Sequence, residues 1–547
     1  MKKYKFSPLF LIIPLFILGW GIFNLYYFNN FYVRAVDPEY PYLFNGLNVA
    51  LLEFSRIGHF DHPGTPFQVY CGLIVRITHL FAGEGAIAQE VFNRPDYYLN
   101  AINISLFILQ AVLCFFIAWV GRKREIKTWP IIILQSGVLL NALMTWLFCR
   151  VIPERMLVIV AMLFVIVYLL YGYKNKHPLK FAIWSGVIMG MGLATKFNFL
   201  PIILLPFFLI NSNKNRGIYA LTGIASFFVF LLPIMKRFNE YKRFITSMAT
   251  HDGLHGGGAE RMFDPAKMKH NFFQVFETVP ELILIIFAIV AAIFLAFLFR
   301  KKLETGKQIV LFIGILFIIT FQLVMVSKHF KGSYMTPLVA MYPLFLFLLD
   351  EFIQRISSYK KWAFIPVMLI VIVCIGGTTK LTIMDTKSII ENLKKDEPTI
   401  QFASTQIPPK SLWLIDPTWM SAPFVENGIV YGLCYVYNTH EYRAELMNLN
   451  PNVITWRTED IVLFWRRYFV PIDSMVVTGT PIHLYASRDR DTETLVKLLN
   501  KVALRNNVTL SIDTLFSNHK TDSHFIVMQN HHSQKEWNSE DFIPPIE

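Results

Sequence analysis

The sequence predicts a mainly α-helical, polytopic membrane protein that ends in a small α/β domain. Of its 547 residues, 54% are hydrophobic and only 16% are charged, and the mean hydropathy of +0.44 is too high for a soluble protein. Apolar runs of about 20 residues, the length that a helix needs to cross a bilayer, recur along much of the chain. Short clusters of Lys and Arg separate these runs, as the positive-inside rule describes.

On this basis we expect about eleven membrane-spanning helices. They cover residues 8–27, 99–121, 128–148, 155–173, 180–196, 198–211, 217–235, 279–299, 308–327, 334–349 and 362–379. The first run follows Lys2, Lys3 and Lys5 and lacks a small-residue cleavage site. We therefore interpret it as a signal anchor with a cytoplasmic N-terminus.

The basic gaps set the expected topology and the domain division. Alternating gaps are basic and are assigned to the cytoplasm, which places the other gaps and the segment after Lys380 on the outer side. The formal net charge of +13 follows from these clusters, so nucleic-acid binding is not expected. We divide the chain into a membrane domain, residues 1–380, and an extracytoplasmic α/β domain, residues 381–547. Short apolar runs at 429–431, 461–464 and 475–477 and a helical pattern at 492–504 indicate the α/β class.

Residues 180–211 allow two interpretations. Lys196 interrupts an apolar stretch that also contains Pro201 and Pro206, which favours two short spans that meet near Lys196 at the outer face. The alternative is one long helix with a snorkelling lysine. That alternative would invert the sidedness of every later loop.

The outer gaps carry acids early in the chain and cations late. The first gap, residues 33–98, includes an amphipathic run at 67–81 that we expect to lie at the membrane interface. The candidate acid–base residues of the first two gaps are Asp37, Glu39, Asp61, His62 and Glu154. The candidate anion-binding residues of the later gaps are His251, His255, Arg261, Lys328, His329 and Lys331.

This division suits the transfer of a sugar from a polyprenyl phosphate to a hydroxyl. Such a reaction needs a carboxylate that takes the acceptor proton, and cations and backbone N–H groups that hold the leaving phosphate. The glycines Gly256–Gly258 would permit close approach to an anion, although they are equally explained by a flexible turn. Partial burial of Asp37 would raise the pKa of its carboxylate, and the nearby Arg34 would lower it.

Each acidic candidate also has a structural explanation. Asp37 precedes Pro38, and an Asp before a first-turn proline is a common helix opening. Glu154 has the cations Arg150 and Arg155 as sequence neighbours and could simply pair with one of them.

The other candidate residues also have structural explanations. Residues 61–63 can be a turn, and the cations near residue 330 can be a solvated helix end. The five cysteines show no metal or disulfide spacing, and the acids lack a recognisable ligand array. We therefore expect neither a metal nor another cofactor.

Four segments carry a family resemblance. VDPEYPYLFNGLNVA and HFDHPGTPFQ in the first gap, followed by GMGLATKFNFLPIILLP and KHFKGSYMTPLVAMYPL, resemble in this order the GT-C superfamily of integral-membrane glycosyltransferases. Within it they are most similar to the family 39-like branch of protein mannosyltransferases and lipid A aminoarabinose transferases. The resemblance implies an enzyme of the bacterial cytoplasmic membrane that takes a sugar from an undecaprenyl or dolichyl phosphate, usually with inversion. Its partners would be that lipid-linked donor, a glycan, lipid or protein acceptor, and the bilayer.

The resemblance also implies roles for two acids. The essential acid of the first outer loop maps onto Asp37, and the second acid onto Glu154. Acids that are often adjacent in the family are separated here by Pro38, which leaves the role of Glu39 open. A transporter or a lipid-linked glycan flippase is the alternative function, but its ionisable residues should lie inside the spans.

Overall fold

The computed structural model describes residues 7–34, 36–61, 64–299, 306–357, 362–416, 418–456, 461–464, 469–487, 492–538 and 541. Within these residues the chain is mainly helical and forms one β-sheet near its C-terminus. The predicted fold class, a polytopic helical protein with a small α/β domain, is thereby confirmed.

Nine helices of the described chain are long and apolar enough to cross a membrane. They are Pro8–Tyr27, Pro95–Lys123, Pro153–Asn175, Pro178–Thr195, Asn213–Thr250, Glu281–Leu298, Gly306–Lys328, Gly332–Ile356 and Ile365–Thr405. Two bent pairs of helices raise the count to eleven if each pair is one span. Shorter helices of the same part of the chain include Phe31–Arg34, Glu39–Ala50, Phe54–Arg56 and Pro265–Thr278.

The bent pairs show where the sequence pattern and the structure differ. Residues 128–148, predicted as one span, form Thr128–Leu139 and Ala142–Cys149, which meet at 64°. Asn141 lies at this bend, and its side chain accepts a hydrogen bond from the Leu143 N–H at 2.8 Å, so it caps the second helix. The run expected at the interface forms Thr65–Ala82, which is bent by 94° from Ile87–Asn93.

The chain divides into two compact units. The first unit contains Met1–Tyr26, His59–Tyr70 and Ile102–Asp385, and the second contains Tyr27–Gly58, Cys71–Ala101 and Thr386–Glu547. Much of the first outer gap therefore belongs to the same unit as the C-terminal tail. The expected division at residue 380 places that gap in the membrane domain instead.

Two glycines explain why the tail packs on the first outer gap. Helix Val425–Leu433 presents Gly428 to the Tyr40 ring and Gly432 to the Phe44 ring of helix Glu39–Ala50. A Cβ added at Gly428 would lie 2.4 Å from Tyr40 Cζ, so only glycine permits this approach.

The second unit contains a seven-stranded sheet. Its strands are β1 Leu412–Ile415, β2 Val453–Trp456, β3 Ile461–Phe464, β4 Phe469–Pro471, β5 Ile482–Ser487, β6 Ser511–Asn518 and β7 Ser523–Gln529. The strand order is β4-β3-β2-β1-β5-β7-β6, in which β1 pairs in parallel with both β2 and β5 and the other pairs are antiparallel. The helices among these strands are Val425–Leu433, Arg443–Leu449, Asp473–Val476 and Thr492–Arg505.

Of the three apolar runs in the tail, only 461–464 is a strand. Residues 429–431 lie in a helix because that helix packs through its glycines, a tertiary contact that overrides the β-branched composition. Residues 475 and 476 lie in the short helix Asp473–Val476.

The sidedness of the chain is a testable prediction. Reporter fusions after Lys127 and after Lys380 should report opposite sides of the membrane, because the basic gap at 122–127 is assigned to the cytoplasm and the tail to the exterior. A phosphatase and a fluorescent reporter at both sites would measure this. The same sidedness at the two sites would contradict the topology.

Candidate active site

Lys196 marks a break between two helical segments of the first unit. Helix Pro178–Thr195 ends immediately before it, and Lys196 has an extended backbone with φ −161° and ψ 135°. A shorter apolar segment, Phe197–Leu209, follows. The alternative of one long helix is therefore wrong. The ammonium group does not reach toward solvent, because the Lys196 side chain is only 6% exposed.

The Lys196 ammonium forms a buried ion pair with Glu154. Lys196 Nζ lies 2.6 Å from Glu154 Oε1, and the Glu154 side chain is 3% exposed. Glu154 is in the first turn of helix Pro153–Val167, where the helix dipole favours a negative charge. Sequence reasoning identified Glu154 but treated Lys196 only as an interruption of an apolar run.

Arg155, the next residue, is held by a different group of side chains. It is fully buried and donates to the side-chain oxygens of Asn103 and, at 3.3 Å, Gln110. Two charged side chains at the same helix start are thus stabilised by separate partners, an ammonium for Glu154 and neutral amides for Arg155.

Gly64 and Thr65, which belong to the same unit as Lys196, bond to the helix end beside it. The Gly64 N–H donates to the Thr195 carbonyl at 3.1 Å, and the Thr65 hydroxyl donates to the Ala194 carbonyl at 3.5 Å. These bonds satisfy carbonyls at the end of a helix, where no further helical N–H is available. Gly64 has φ +58°, a conformation that favours glycine.

This docking brings the residues around Asp61 to the same region of the unit. His59 is buried, and its carbonyl accepts a hydrogen bond from Gln68 Nε2 at 2.7 Å. Asp61 is half-buried. His62 lies outside the described residues.

His329 lies in a short segment between two helices of the first unit. It is buried, and its Nε2 is 3.0 Å from the Met248 carbonyl, so Nε2 carries the proton and donates. Its Nδ1 has no hydrogen-bond partner among the described residues. Burial is the main cause that lowers the pKa of His329 below its ordinary value, so the ring is neutral at pH 7.

A cavity adjoins Lys196 and His329. Its polar lining comes from these two residues with Asn198 and Tyr334, and the Lys196 ammonium lies 4.8 Å from the centre of the Tyr334 ring. The remaining wall is apolar and consists of Phe197, Phe244, Ile245, Met248, Met325 and Val326. The cavity therefore combines one ammonium group, a neutral imidazole and two further polar side chains with hydrocarbon walls.

The neighbouring lysines differ in their contacts. Lys328 Nζ donates to the carbonyls of Met248 at 2.8 Å and Ala249 at 2.6 Å, which lie in the last turn of a helix. A lysine there satisfies terminal carbonyls and complements the helix dipole. Lys331 is exposed.

The glycine-rich loop is a turn organised around Asp252. The Asp252 carboxylate pairs with Arg261, whose guanidinium also lies 2.8 Å from Asp264 Oδ2. The bond from Arg261 is the main cause that lowers the pKa of Asp252. Gly256 and Gly258 have positive φ, and Gly253 N–H donates to the Gly257 carbonyl at 2.8 Å.

The two histidines of this loop lie at its start and near its middle. His251 ends helix Phe238–Thr250, and its Nδ1 is 2.9 Å from the Thr250 hydroxyl. His255 is exposed and has φ +55°. A role of these residues in phosphate binding stays a prediction.

Asp37 belongs to the second unit. Helix Glu39–Ala50 begins after it, with Pro38 at the N-cap position, so Asp37 does not occupy the position that the capping alternative requires. The Tyr431 hydroxyl donates to the Asp37 carboxylate and lies 3.4 Å from the Tyr435 hydroxyl. Burial, together with the charge of Asp37, holds the pKa of Tyr431 well above its ordinary value, so the phenol stays protonated.

Two further acids lie near the start of the same helix. Glu39 is fully buried in its first turn. Asp96, which sequence reasoning did not select, accepts hydrogen bonds from the Tyr40 hydroxyl at 3.0 Å and the Phe31 N–H at 3.1 Å. Asp96 thus ties together the two helices that flank Asp37.

The comparisons with known proteins give one structural similarity. The structure is similar to the crystal structure of ArnT from Cupriavidus metallidurans bound to undecaprenyl phosphate, with a TM-score of 0.49 and 9% sequence identity. The similarity covers 96% of this chain and 99% of that chain. The sequence matches no family model and no curated protein.

The Lys196–Glu154 pair makes a testable prediction about stability. Removing one partner leaves the other charge buried and uncompensated, which costs about 3–5 kcal/mol. Lys196→Met and Glu154→Gln should therefore each lower the melting temperature of the detergent-solubilised protein.

The double variant Lys196→Met/Glu154→Gln should recover most of that loss, because neither buried charge remains. Lys331→Met removes an exposed lysine and is the matched control, with no expected change. Single variants as stable as the parent protein would show that the two charges are not buried together.

Proposed function

We propose that the protein is a GT-C-type glycosyltransferase of the bacterial cytoplasmic membrane. It moves a sugar from a polyprenyl phosphate to a hydroxyl acceptor at the outer face, with inversion. The observation that carries this proposal is the cavity beside Lys196, which joins a buried ammonium and other polar groups to apolar walls within the membrane-spanning unit.

The cavity has the chemistry that a lipid-linked phosphate needs. The cavity has a volume of about 60 Å³, the size of a phosphate group, and Lys196 offers a charge-assisted hydrogen bond to a phosphate there. Phe244, Met248 and Met325 offer hydrocarbon contact to the first atoms of an isoprenoid chain. Breaking the bond between the sugar and the phosphate turns a diester monoanion into a monoester with more negative charge. A buried ammonium stabilises that growing charge more strongly than an exposed one would.

His329 fits the same task. Its neutral ring leaves Nδ1 as an acceptor, but an anion nearby favours the protonated form and makes Nδ1 a donor. The pKa of His329 is therefore expected to rise when the phosphate binds. Asn198 and Tyr334 complete the polar end of the cavity.

Asp37 is assigned the role of general base. The acceptor oxygen attacks the anomeric carbon as the bond from that carbon to the phosphate oxygen breaks, and Asp37 takes the acceptor proton. Attack from the face opposite the phosphate inverts the configuration. The hydrogen bond from Tyr431 fixes the orientation of the carboxylate before the acceptor arrives.

The positions of the buried charges support an enzyme over the transporter alternative. Glu154 and Arg155 lie in the first turn of their helix, Glu281 begins another helix, and Lys196 directly follows a third. A transporter site should instead hold ionisable groups near the middle of its spans.

The function as a whole is tested in a deletion strain. Mass spectrometry should find a polyprenyl-phosphate-linked sugar that accumulates and an envelope glycan, lipid or protein that has lost this sugar. Unchanged lipid-linked sugars and unchanged envelope glycoconjugates would overturn the proposal.

Replacing the base tests the mechanism. Asp37→Asn keeps the shape of the side chain but cannot take a proton, so turnover of the purified enzyme should fall by ~10²–10⁴ while donor binding survives. Glu53→Gln is the matched control, since Glu53 is a partly exposed acid of the same gap that pairs with Arg56. Near-full turnover of Asp37→Asn would move the base to Glu39, Asp61 or Glu154.

Metal independence is a separate prediction. Among the described residues, no group of three or more His, Cys, Asp or Glu side chains is placed to hold a metal ion. We expect transfer to continue in excess EDTA, because Lys196 and His329 are proposed to stabilise the phosphate. Full loss of activity that magnesium or manganese restores would contradict this expectation.

A further inference from the structure

A large polar pocket lies in the second unit, at the carboxyl ends of β1 and β5. We propose that this pocket binds the acceptor, and that the acceptor is a neutral glycan. The inference rests on the proposed glycosyl transfer and specifies the substrate class that the reaction uses.

The location of the pocket is one where ligands are expected. β1 pairs in parallel with β2 on one side and β5 on the other, so the strand order reverses at β1. Ligands of sheets with parallel strands bind outside the carboxyl ends at such a reversal. Asp416 and Trp419 follow β1, and Tyr485 and Ser487 close β5 at this edge.

The outer wall of the pocket is the C-terminal half of helix Ile365–Thr405. It contributes Asn392, Lys395 and Asp396, whose spacing of three and four residues places them on one helix face. An amide, an ammonium and a carboxylate on one face supply both donors and acceptors to a polyhydroxylated ligand.

The hairpin between β6 and β7 forms another wall and is fixed to that helix. Asn518 Nδ2 donates to the Lys395 carbonyl at 2.7 Å and to the Thr399 hydroxyl at 2.8 Å. The rings of Phe402 and Phe516 stack with centroids 4.7 Å apart. These contacts hold the two walls together, so the pocket has a defined shape.

The floor of the pocket has the features of a carbohydrate site. Trp419 and Tyr485 line the pocket, each with about 6% of its surface exposed, and their ring centroids lie 6.2 Å apart with planes at 78°. Sugar rings place their C–H faces on aromatic rings and direct their hydroxyls to carboxylates and amides. Asp416, whose carboxylate also accepts from the Thr418 N–H at 2.8 Å, is such a carboxylate beside the aromatic floor.

The charge of the lining favours a neutral ligand. The lining includes the cations Lys395 and Lys520, the titratable His519, and three aspartates, Asp396, Asp416 and Asp522. A site for a phosphorylated lipid headgroup needs an excess of cations. This lining has no such excess, which favours a glycan without phosphate groups.

The rim of the pocket is joined to the segment that carries the proposed base. The Val36 N–H donates to the Met420 carbonyl at 2.9 Å, and the Ala422 N–H donates to the Tyr32 carbonyl at 2.9 Å. Met420 lines the pocket, and Val36 directly precedes Asp37. A glycan held in the pocket can thus present a hydroxyl toward Asp37.

Binding to the purified full-length protein, without donor, tests the inference. The probes are neutral oligosaccharides of hexoses and deoxyhexoses, the same oligosaccharides carrying phosphate, and Ser/Thr-rich peptides. We expect the neutral oligosaccharides to bind. Asp416→Asn and the exposed helix variant Asn392→Ala should each weaken that binding by about tenfold.

Asp513→Asn is the matched control, because it makes the same charge change at an exposed residue of β6 that does not line the pocket. Affinity for neutral oligosaccharides that both pocket variants retain would overturn the inference. Preference for the phosphorylated probes or the peptides would also overturn it.

A kinetic measurement separates this inference from the proposed function. Pocket variants should raise the KM for acceptor with little change in kcat, whereas Asp37→Asn should lower kcat and leave oligosaccharide binding intact. Oligosaccharide binding without transfer from any polyprenyl-phosphate sugar would refute the proposed function alone. Transfer with an unchanged acceptor KM in the pocket variants would refute the pocket alone.

Discussion

The buried ion pair between Lys196 and Glu154 is the constraint on which the polar end of the membrane-spanning unit depends. A single lysine or glutamate in such surroundings would be strongly destabilising, so each charge requires the other. The pair fixes the end of one helix against the start of another. Gly64 and Thr65 then bond to carbonyls of that helix end, Gly64 through its backbone N–H and Thr65 through its hydroxyl. A pair of hydrophobic side chains would hold the same helices at least as well, which points to a functional reason for the charges.

The C-terminal tail has a comparable role in the second unit. Gly428 and Gly432 allow its helix to pack on Tyr40 and Phe44, and the same helix carries Tyr431, which bonds to Asp37. The tail is therefore part of the environment of the proposed base. This explains why the compact unit combines residues 27–58 with the chain after residue 385.

The sequence predicts most of the spans because hydropathy and length are local properties, but residues 128–148 form a bent pair of helices and residues 198–211 correspond to the short segment Phe197–Leu209. It does not reveal the partners of the charged residues, since these depend on contacts between distant positions. Lys196 is visible in the sequence as a lysine within an apolar run, but Glu154 lies 42 residues away and nothing local connects them. The sequence does hold one indication that Tyr431 lies in a packed helix. Gly428 and Gly432 are four residues apart, a spacing typical of a close helix contact, although the local composition favours a strand. The hydropathy pattern likewise does not predict the bend near residue 140, because the second helix there begins at a single capping asparagine.

A cation can hold an incoming phosphate only if it can leave or share its present partner. Lys328 satisfies two carbonyls at a helix end, so its departure would leave those acceptors unpaired. Arg261 is bound to two carboxylates that organise the glycine-rich turn. Lys196 lines a cavity and lies 2.6 Å from Glu154, so its positive charge can act on both that carboxylate and a phosphate in the cavity. His329 has an unpartnered ring nitrogen among the described residues and lines the same cavity. Lys196, and His329 once it is protonated, can therefore take up the phosphate with less rearrangement of the folded chain than Lys328 or Arg261.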